Sequence, residues 1–139
     1  FGTIFGTSPG MRFHTAVNKF CYEASLNIPL TIWKQNYDQN RPYLGLKDAI
    51  KSIMFFTKKY NEIYWNETYN VLTNNCKLDE IVGYISEITP VTLNLIDTPL
   101  LNQFSYQVSD EKIKNIGFES DENLRDNIIR TLRKLKNLK

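Results

Sequence analysis

The sequence is short of the residues that usually announce chemistry. It has one histidine, His14, and two cysteines, Cys21 and Cys76, with no CxxC pair. A lone histidine without a cysteine, histidine or carboxylate cluster makes no metal site. Two distant cysteines near helical patterns read as buried free thiols, not as a disulfide framework. Glycine occurs only at positions 2, 6, 10, 45, 83 and 117, so neither G-x-x-G-x-x-G nor G-x-G-x-x-G exists in the chain. The turn that lays a dinucleotide's pyrophosphate on a helix N-terminus is therefore missing. Charge is nearly balanced, 17 basic against 15 acidic residues for a formal +2. That is too little to recruit nucleic acid or an anionic membrane by net field. No apolar run approaches the ~20 residues of a membrane span, and no signal-peptide pattern occurs. The expectation is a soluble cytoplasmic protein with neither nucleic acid nor membrane as partner. Asn66-Glu67-Thr68 has the form of a glycosylation acceptor, a tripeptide common by chance.

What is present suits a packed core. The 139 residues are 42% hydrophobic and 13% aromatic, enough for one domain or part of a larger one. FGTIFG opens the chain as a strand already under way, with Ile4 and Phe5 needing burial, and the chain looks cut from something longer. Thr7-Ser8-Pro9-Gly10 is a turn. Phe13, Ala16, Val17, Phe20, Cys21 and Ala24 then keep helical spacing until Asn27-Ile28-Pro29. Residues 30–33 read as a strand with Leu30 and Ile32 on one face and Thr31 and Trp33 on the other. A polar loop follows, then a short extended run at 43–46 and a helix to about Lys59. Residues 67–72 alternate as a strand. Thr73-Asn74-Asn75 is a loop with a capping donor, and Leu78, Ile81, Val82, Ile85 and Ile88 mark a helix. Strands are expected at 91–96 and 104–108, with an irregular stretch at 97–103 between them. A short helix at 109–115 is stopped by Gly117, and Ser120 caps a last helix striped by Leu124, Ile128, Leu132, Leu135 and Leu138. The fold class is α/β, or α+β, a small mixed sheet with about four helices.

Residues 29–50, PLTIWKQNYDQNRPYLGLKDAI, carry the clearest chemical suggestion. They deliver Arg41 between two apolar runs, a rigid base with a wet outlook. A guanidinium is permanently charged, planar and able to bind phosphate oxygens bidentately. The competing reading is a surface arginine paired with Asp38 or Asp48. Asp48 itself reads as a cap or brace for its helix.

Five stretches in order resemble the C-terminal portion of the extended short-chain dehydrogenases/reductases, the nucleotide-sugar epimerase and dehydratase family. FGTIFG is similar to R-Y-F-N-x-Y-G-P, PLTIW to PLTIYGDG and RPYLGLKDAI to RDFVYVDDVVRA. ETYNVLTNN is similar to VYNIGTG, and IGFESDENLRDNI to LGWEPKVSLEEGL. The resemblance implies that residues 1–6 are the last strand of a Rossmann domain missing here, and that residues 7–139 are the substrate-binding domain. It implies NAD or NADP for the whole enzyme, held upstream with the Tyr-x-x-x-Lys pair, and no cofactor held by these residues alone. Tyr43-Leu44-Gly45-Leu46-Lys47 has that pair's spacing but lies in the substrate segment, so no residue here is expected to be catalytic.

The implied partner is a nucleotide-diphosphate sugar, positioned for hydride transfer by the upstream domain. Arg41 falls at the diphosphate-contacting arginine. Trp33 falls beside the nucleotide base, where stacking and a core role are equal alternatives. His14 and Thr15 fall at the nucleotide-contacting entry to the first helix, and Thr3 replaces an asparagine that holds ligand. Tyr69 and Asn70 match a structural pair. Three departures stand out: Thr3 itself, Pro42 in place of an aspartate, and the loss of a second arginine near Asp97-Thr98-Pro99-Leu100. Near that lost arginine, Gln103 and Tyr106 are the polar groups. These departures motivate the alternative of a non-catalytic binding or interaction module that kept the fold. In either case, uncovered apolar residues such as Ile4 and Phe5 would promote self-association.

Overall fold

A computed structural model describes residues 1–59, 66–97 and 104–137. Eleven elements alternate along the described chain: β1 (Thr3–Phe5), α1 (Ala16–Ser25), β2 (Leu30–Trp33), a 3-10 turn (Lys34–Asn36), β3 (Asn40–Gly45), α2 (Leu46–Lys58), β4 (Asn74–Lys77), α3 (Leu78–Ser86), β5 (Leu93–Ile96), α4 (Glu111–Lys114) and α5 (Leu124–Lys136). The strands form two small sheets. One is mixed, in the order β1-β3-β4, with β1 parallel and β4 antiparallel to β3. The other is a parallel pair of β2 with β5. The fold is mixed α/β, with five helices among the described residues.

Strand β3 divides two cores because its side chains alternate. Tyr43 faces a cluster built from Phe5, Leu30 and Ile32 of the strands and the apolar stripes of α1, α3 and α5. Those stripes have helical spacing: Val17, Phe20, Cys21 and Ala24; Ile81, Val82 and Ile85; Leu124, Ile128, Leu132 and Leu135. Leu44 faces a smaller cluster with Ala49, Val71, Ile113 and Phe118, where Phe55 meets Phe118 edge-on at 5.5 Å. Each large apolar side chain so buried contributes roughly 1.5–3 kcal/mol.

Polar groups lock the ends of the elements. Asp48, fully buried in the first turn of α2, accepts from Thr73 Oγ1 at 2.7 Å and from the Asp121 N–H at 2.9 Å. Thr73 Oγ1 in turn accepts from the Gly45 N–H at 2.8 Å. The expected brace therefore joins α2, the strand junction and the approach to α5. Asn27, with φ 58°, stops α1, and Gly117, with φ 88°, follows α4, both in the left-handed conformation that ends helices.

The helices lie within a turn of where apolar spacing puts them, while several expectations about loops and strands are corrected. Residues 67–72 form no strand; Val71 and Leu72 are both buried although adjacent, so the alternation there does not describe two faces. The strand lies instead at Asn74–Lys77, in the expected loop, because β3 supplies its backbone partners and tertiary pairing overrides the low strand propensity of asparagine. Its successor α3 is entered through Lys77, whose N–H donates to Glu80 Oε1 at 3.1 Å. Residues 104–108 are coil. Asn123, not Ser120, caps α5, accepting from the Asp126 N–H; Ser120 Oγ donates to Leu72 O at 2.9 Å. Helix α1 begins at Ala16, leaving Phe13 in the preceding loop against Tyr22 at 4.6 Å. Of the expected irregular stretch at 97–103, residues 98–103, Gln103 among them, lie outside the described residues, as does the last stripe residue Leu138.

Phe5 is buried, but Ile4 stays exposed, as do Ile50, Ile53 and Met54 along one side of α2. No helix among the described residues is long and apolar enough to cross a membrane.

Gly45 shows how tightly these layers meet. A Cβ there would lie 2.3 Å from both Asn127 Nδ2 and Glu122 Oε2, two groups already bonded to each other at 2.6 Å. Gly83, in the middle of α3, has nothing within 4 Å of the same position. Gly45→Ala is expected to lower unfolding stability by about 1–3 kcal/mol, the usual cost of overpacking. Gly83→Ala is expected to raise it by up to about 1 kcal/mol through helix propensity. Urea denaturation of the two variants checks the pair; equal effects would contradict the packing described.

Candidate functional site

Register brings the site together. In β1 and β3, Thr3 pairs with Tyr43, and in β3 and β4, Arg41 pairs with Cys76. Arg41 and Tyr43 are two residues apart and so share a face of β3, and Gln39 immediately precedes the strand. A cavity of about 300 Å³ opens over this face, lined by Thr3, His14, Ala16, Asn36, Gln39, Arg41, Tyr43 and Leu78. A second cavity of about 550 Å³ shares Thr3 and takes in Arg12, Thr15, Asn18 and the backbone of residues 2–6. Four of the five residues singled out from the sequence, Thr3, His14, Thr15 and Arg41, thus line two cavities that meet at Thr3. Trp33 lines neither; it lies 40% exposed at the end of β2, beside Ile96 in register.

Arg41 is held by its neighbours. Its Nη1 donates to Asn40 O at 2.7 Å and its Nη2 to Gln39 Oε1 at 2.5 Å, and the guanidinium carbon lies 5.0 Å from the Tyr106 ring centre. The two carboxylates considered as its partners are engaged elsewhere: Asp38 accepts from Lys77 Nζ at 2.5 Å, and Asp48 is committed to Thr73 and Asp121. Pro42 is accommodated because β1 pairs with β3 only from Tyr43 onward, so the strand starts its parallel ladder one residue past the missing N–H. Gly2 lies directly against this point, where a Cβ would come within 3.1 Å of the Pro42 carbonyl.

The loop carrying His14 and Thr15 is pinned from below. Buried Asn18 accepts from the Gly6 N–H and donates to Arg12 O, both at 3.0 Å. Thr15 Oγ1 reaches Arg12 O only at a long 3.4 Å.

Tyr43 is buried, and desolvation, with smaller contributions from the Cys76 thiol and against the Arg41 charge, raises its phenol above the ordinary value. Burial pushes the Cys76 thiol up to about 12, and the Cys21 thiol likewise. The Tyr43 and Lys47 pair does not converge: Tyr43 lines the cavity of Arg41, whereas Lys47 lines a separate cavity of about 510 Å³ with Lys51, Asp121 and Arg130. Residues 6–15 join the end of β1 to the start of α1, a longer connection than the tight glycine turn on which a pyrophosphate rests.

Gln39, Asn36 and Tyr43 were not chosen from the sequence as ligand contacts. Both Gln39 and Asn36 lie in the stretch that reads as a polar loop, which carried no signal for either.

No protein-family model matches the chain. Among solved structures, it is similar to the UDP-glucuronic acid 4-epimerase of Bacillus cereus in complex with UDP-glucuronic acid and NAD, at 18% identity and TM-score 0.79, covering 99% of this chain and 44% of that one. It is similar to the UDP-glucose 4-epimerase of Thermus thermophilus in complex with NAD, at 15% identity and TM-score 0.79, covering 97% and 44%. It is also similar to a partial-consensus L-threonine 3-dehydrogenase, at 16% identity and TM-score 0.80, covering 99% and 47%. The chain has the fold of the C-terminal portion of the extended short-chain dehydrogenase/reductase architecture seen in UDP-sugar epimerases and dehydratases. It spans under half the length of the structures it matches.

The thiols give a sign-defined test. Their ordinary value of 9.0 rises to about 12 in the folded chain. Below pH 9 they are neutral in both states and contribute no pH dependence. Between pH 9 and 12 the unfolded chain releases protons that the folded one retains, so these groups make stability fall as pH rises. Native protein at pH 8 is expected to react slowly with a thiol reagent at both cysteines and rapidly in urea. Fast native labelling would contradict their burial.

Proposed function

We propose that this chain is the substrate-holding portion of an NAD(P)-dependent nucleotide-sugar epimerase or dehydratase. Its task is to fix the ligand's diphosphate while hydride transfer and acid–base chemistry come from a nucleotide-binding domain. The observation that carries this reading is the convergence of Arg41, Thr3 and His14 on one cavity, under a fold whose solved representatives include complexes with UDP-sugars and NAD. Arg41 supplies the charge, Thr3 and Thr15 supply hydroxyls, and His14 contacts the ligand from the loop before α1. No proton transfer is assigned to these residues. Because the same fold also serves an L-threonine 3-dehydrogenase, the choice of a nucleotide sugar rests on the cavity residues and not on the fold.

The apolar face formed by Ile4, Ile50, Ile53 and Met54, with the open edge of β1, is the surface we assign to contact with the nucleotide-binding domain. Exposed apolar surface favours association when left uncovered. Light scattering of the chain alone is expected to report self-association, and a clean monomer at high concentration would count against the assignment.

Arg41→Ala is expected to weaken binding of uridine diphosphate by roughly tenfold or more, since charge-assisted hydrogen bonds are worth about 1.5–3 kcal/mol. Calorimetric titration checks this. Equal affinity of the variant and the unmodified chain would remove Arg41 from the site, and an absence of binding by both would favour an interaction module that kept the fold.

A further inference from the structure

The coil at 104–108 makes no strand, yet it is tied down at two points. At one end Asn75 of β4 makes a reciprocal amide pair with the backbone of Val108: Nδ2 donates to Val108 O and Oδ1 accepts from the Val108 N–H, each at 3.0 Å. One side chain thus imitates a strand partner. At the other end the Asn40 N–H donates to Ser105 Oγ at 3.0 Å, and Asn40 O accepts from the Tyr106 N–H at 3.3 Å. That same carbonyl accepts from Arg41 Nη1 at 2.7 Å. A single peptide group therefore fixes the coil and the guanidinium in relation to each other, with the Tyr106 ring 5.0 Å from the Arg41 guanidinium carbon.

We propose that Tyr106 is a positioning residue that aims Arg41 at its anionic ligand. The inference rests on the reading of Arg41 as a diphosphate contact and adds what holds it ready. An arginine side chain has many rotamers, and a ligand that must freeze them binds more weakly than one meeting a preset fork. A ring attracts the guanidinium through its π face, whereas hydrogen bonds to phosphate oxygens run along the edge of the guanidinium plane. The two contacts do not compete. The Gln39 contact differs: its Oε1 accepts from Nη2 at 2.5 Å along that edge, where it stands in for an oxygen that an arriving anion would supply. Tyr106 is half exposed, so its replacement leaves both hydrophobic cores intact.

The test compares Tyr106→Phe, Tyr106→Leu and Arg41→Ala with the unmodified chain in titrations of uridine diphosphate, with melting temperatures recorded for each. Tyr106→Phe retains the π face and is expected to bind as the unmodified chain does. Tyr106→Leu keeps an apolar side chain and the backbone bond to Asn40 but loses the π face, and is expected to bind roughly 2- to 5-fold more weakly at an unchanged melting temperature. If Arg41→Ala weakens binding while Tyr106→Leu does not, the positioning role is wrong and the reading of Arg41 stands. If Tyr106→Phe loses as much as Tyr106→Leu, the hydroxyl and not the ring acts, and the proposal is overturned. If Arg41→Ala binds like the unmodified chain, or nothing binds uridine diphosphate, the reading of Arg41 fails and the positioning role falls with it.

Discussion

Everything in this molecule is referred to a strand that is buried on both faces. β3 sends Tyr43 into one hydrophobic cluster and Leu44 into the other, and a slip of one residue would exchange the two. That requirement fixes the register with β1 and β4, and the register fixes the site. Once Tyr43 is in the core, Arg41 must emerge on the same face two residues earlier, at the rim where the core gives way to a cavity. The position of a surface cation is thus set by apolar burial beneath it.

The junction after this strand is equally constrained. Gly45 passes against the Glu122 and Asn127 side chains with no room for a Cβ, and buried Asp48 gathers Thr73 and the Asp121 backbone immediately beyond. A buried carboxylate is tolerable when hydrogen bonds satisfy it. Here one of those bonds spans 73 residues of sequence and the other 25, which lets short strands hold a defined geometry around Arg41.

The helices were legible because apolar residues three and four apart leave few alternatives, as in α1, α3 and α5. The alternation in β2 was legible too, and it put Trp33 opposite Leu30 and Ile32. What alternation cannot tell is whether the outward face looks onto a ligand, and in this fold it looks away from both cavities around Thr3. β4 was hidden because its partners belong to β3 and its sequence, Asn-Asn-Cys-Lys, has little strand character of its own. At 104–108, where the sequence suggested a strand, the backbone is held instead by the Asn75 side chain and by Asn40. Arg41, Thr3, His14 and Thr15 were legible through chemistry and family resemblance, whereas the meeting of Thr3 with Arg41 follows from the pairing of Thr3 with Tyr43, a long-range contact no local pattern contains.

The fold is shared by enzymes named for UDP-sugars and by one named for L-threonine, so what touches Arg41 decides the ligand. The most direct measurement is a crystal structure of the protein with uridine diphosphate. Diphosphate oxygens are expected within about 3.2 Å of the Arg41 guanidinium, with Gln39 Oε1 displaced and Thr3 beside the ligand. A diphosphate bound in the separate cavity lined by Lys47 and Lys51, with Arg41 still on Gln39, would contradict this expectation.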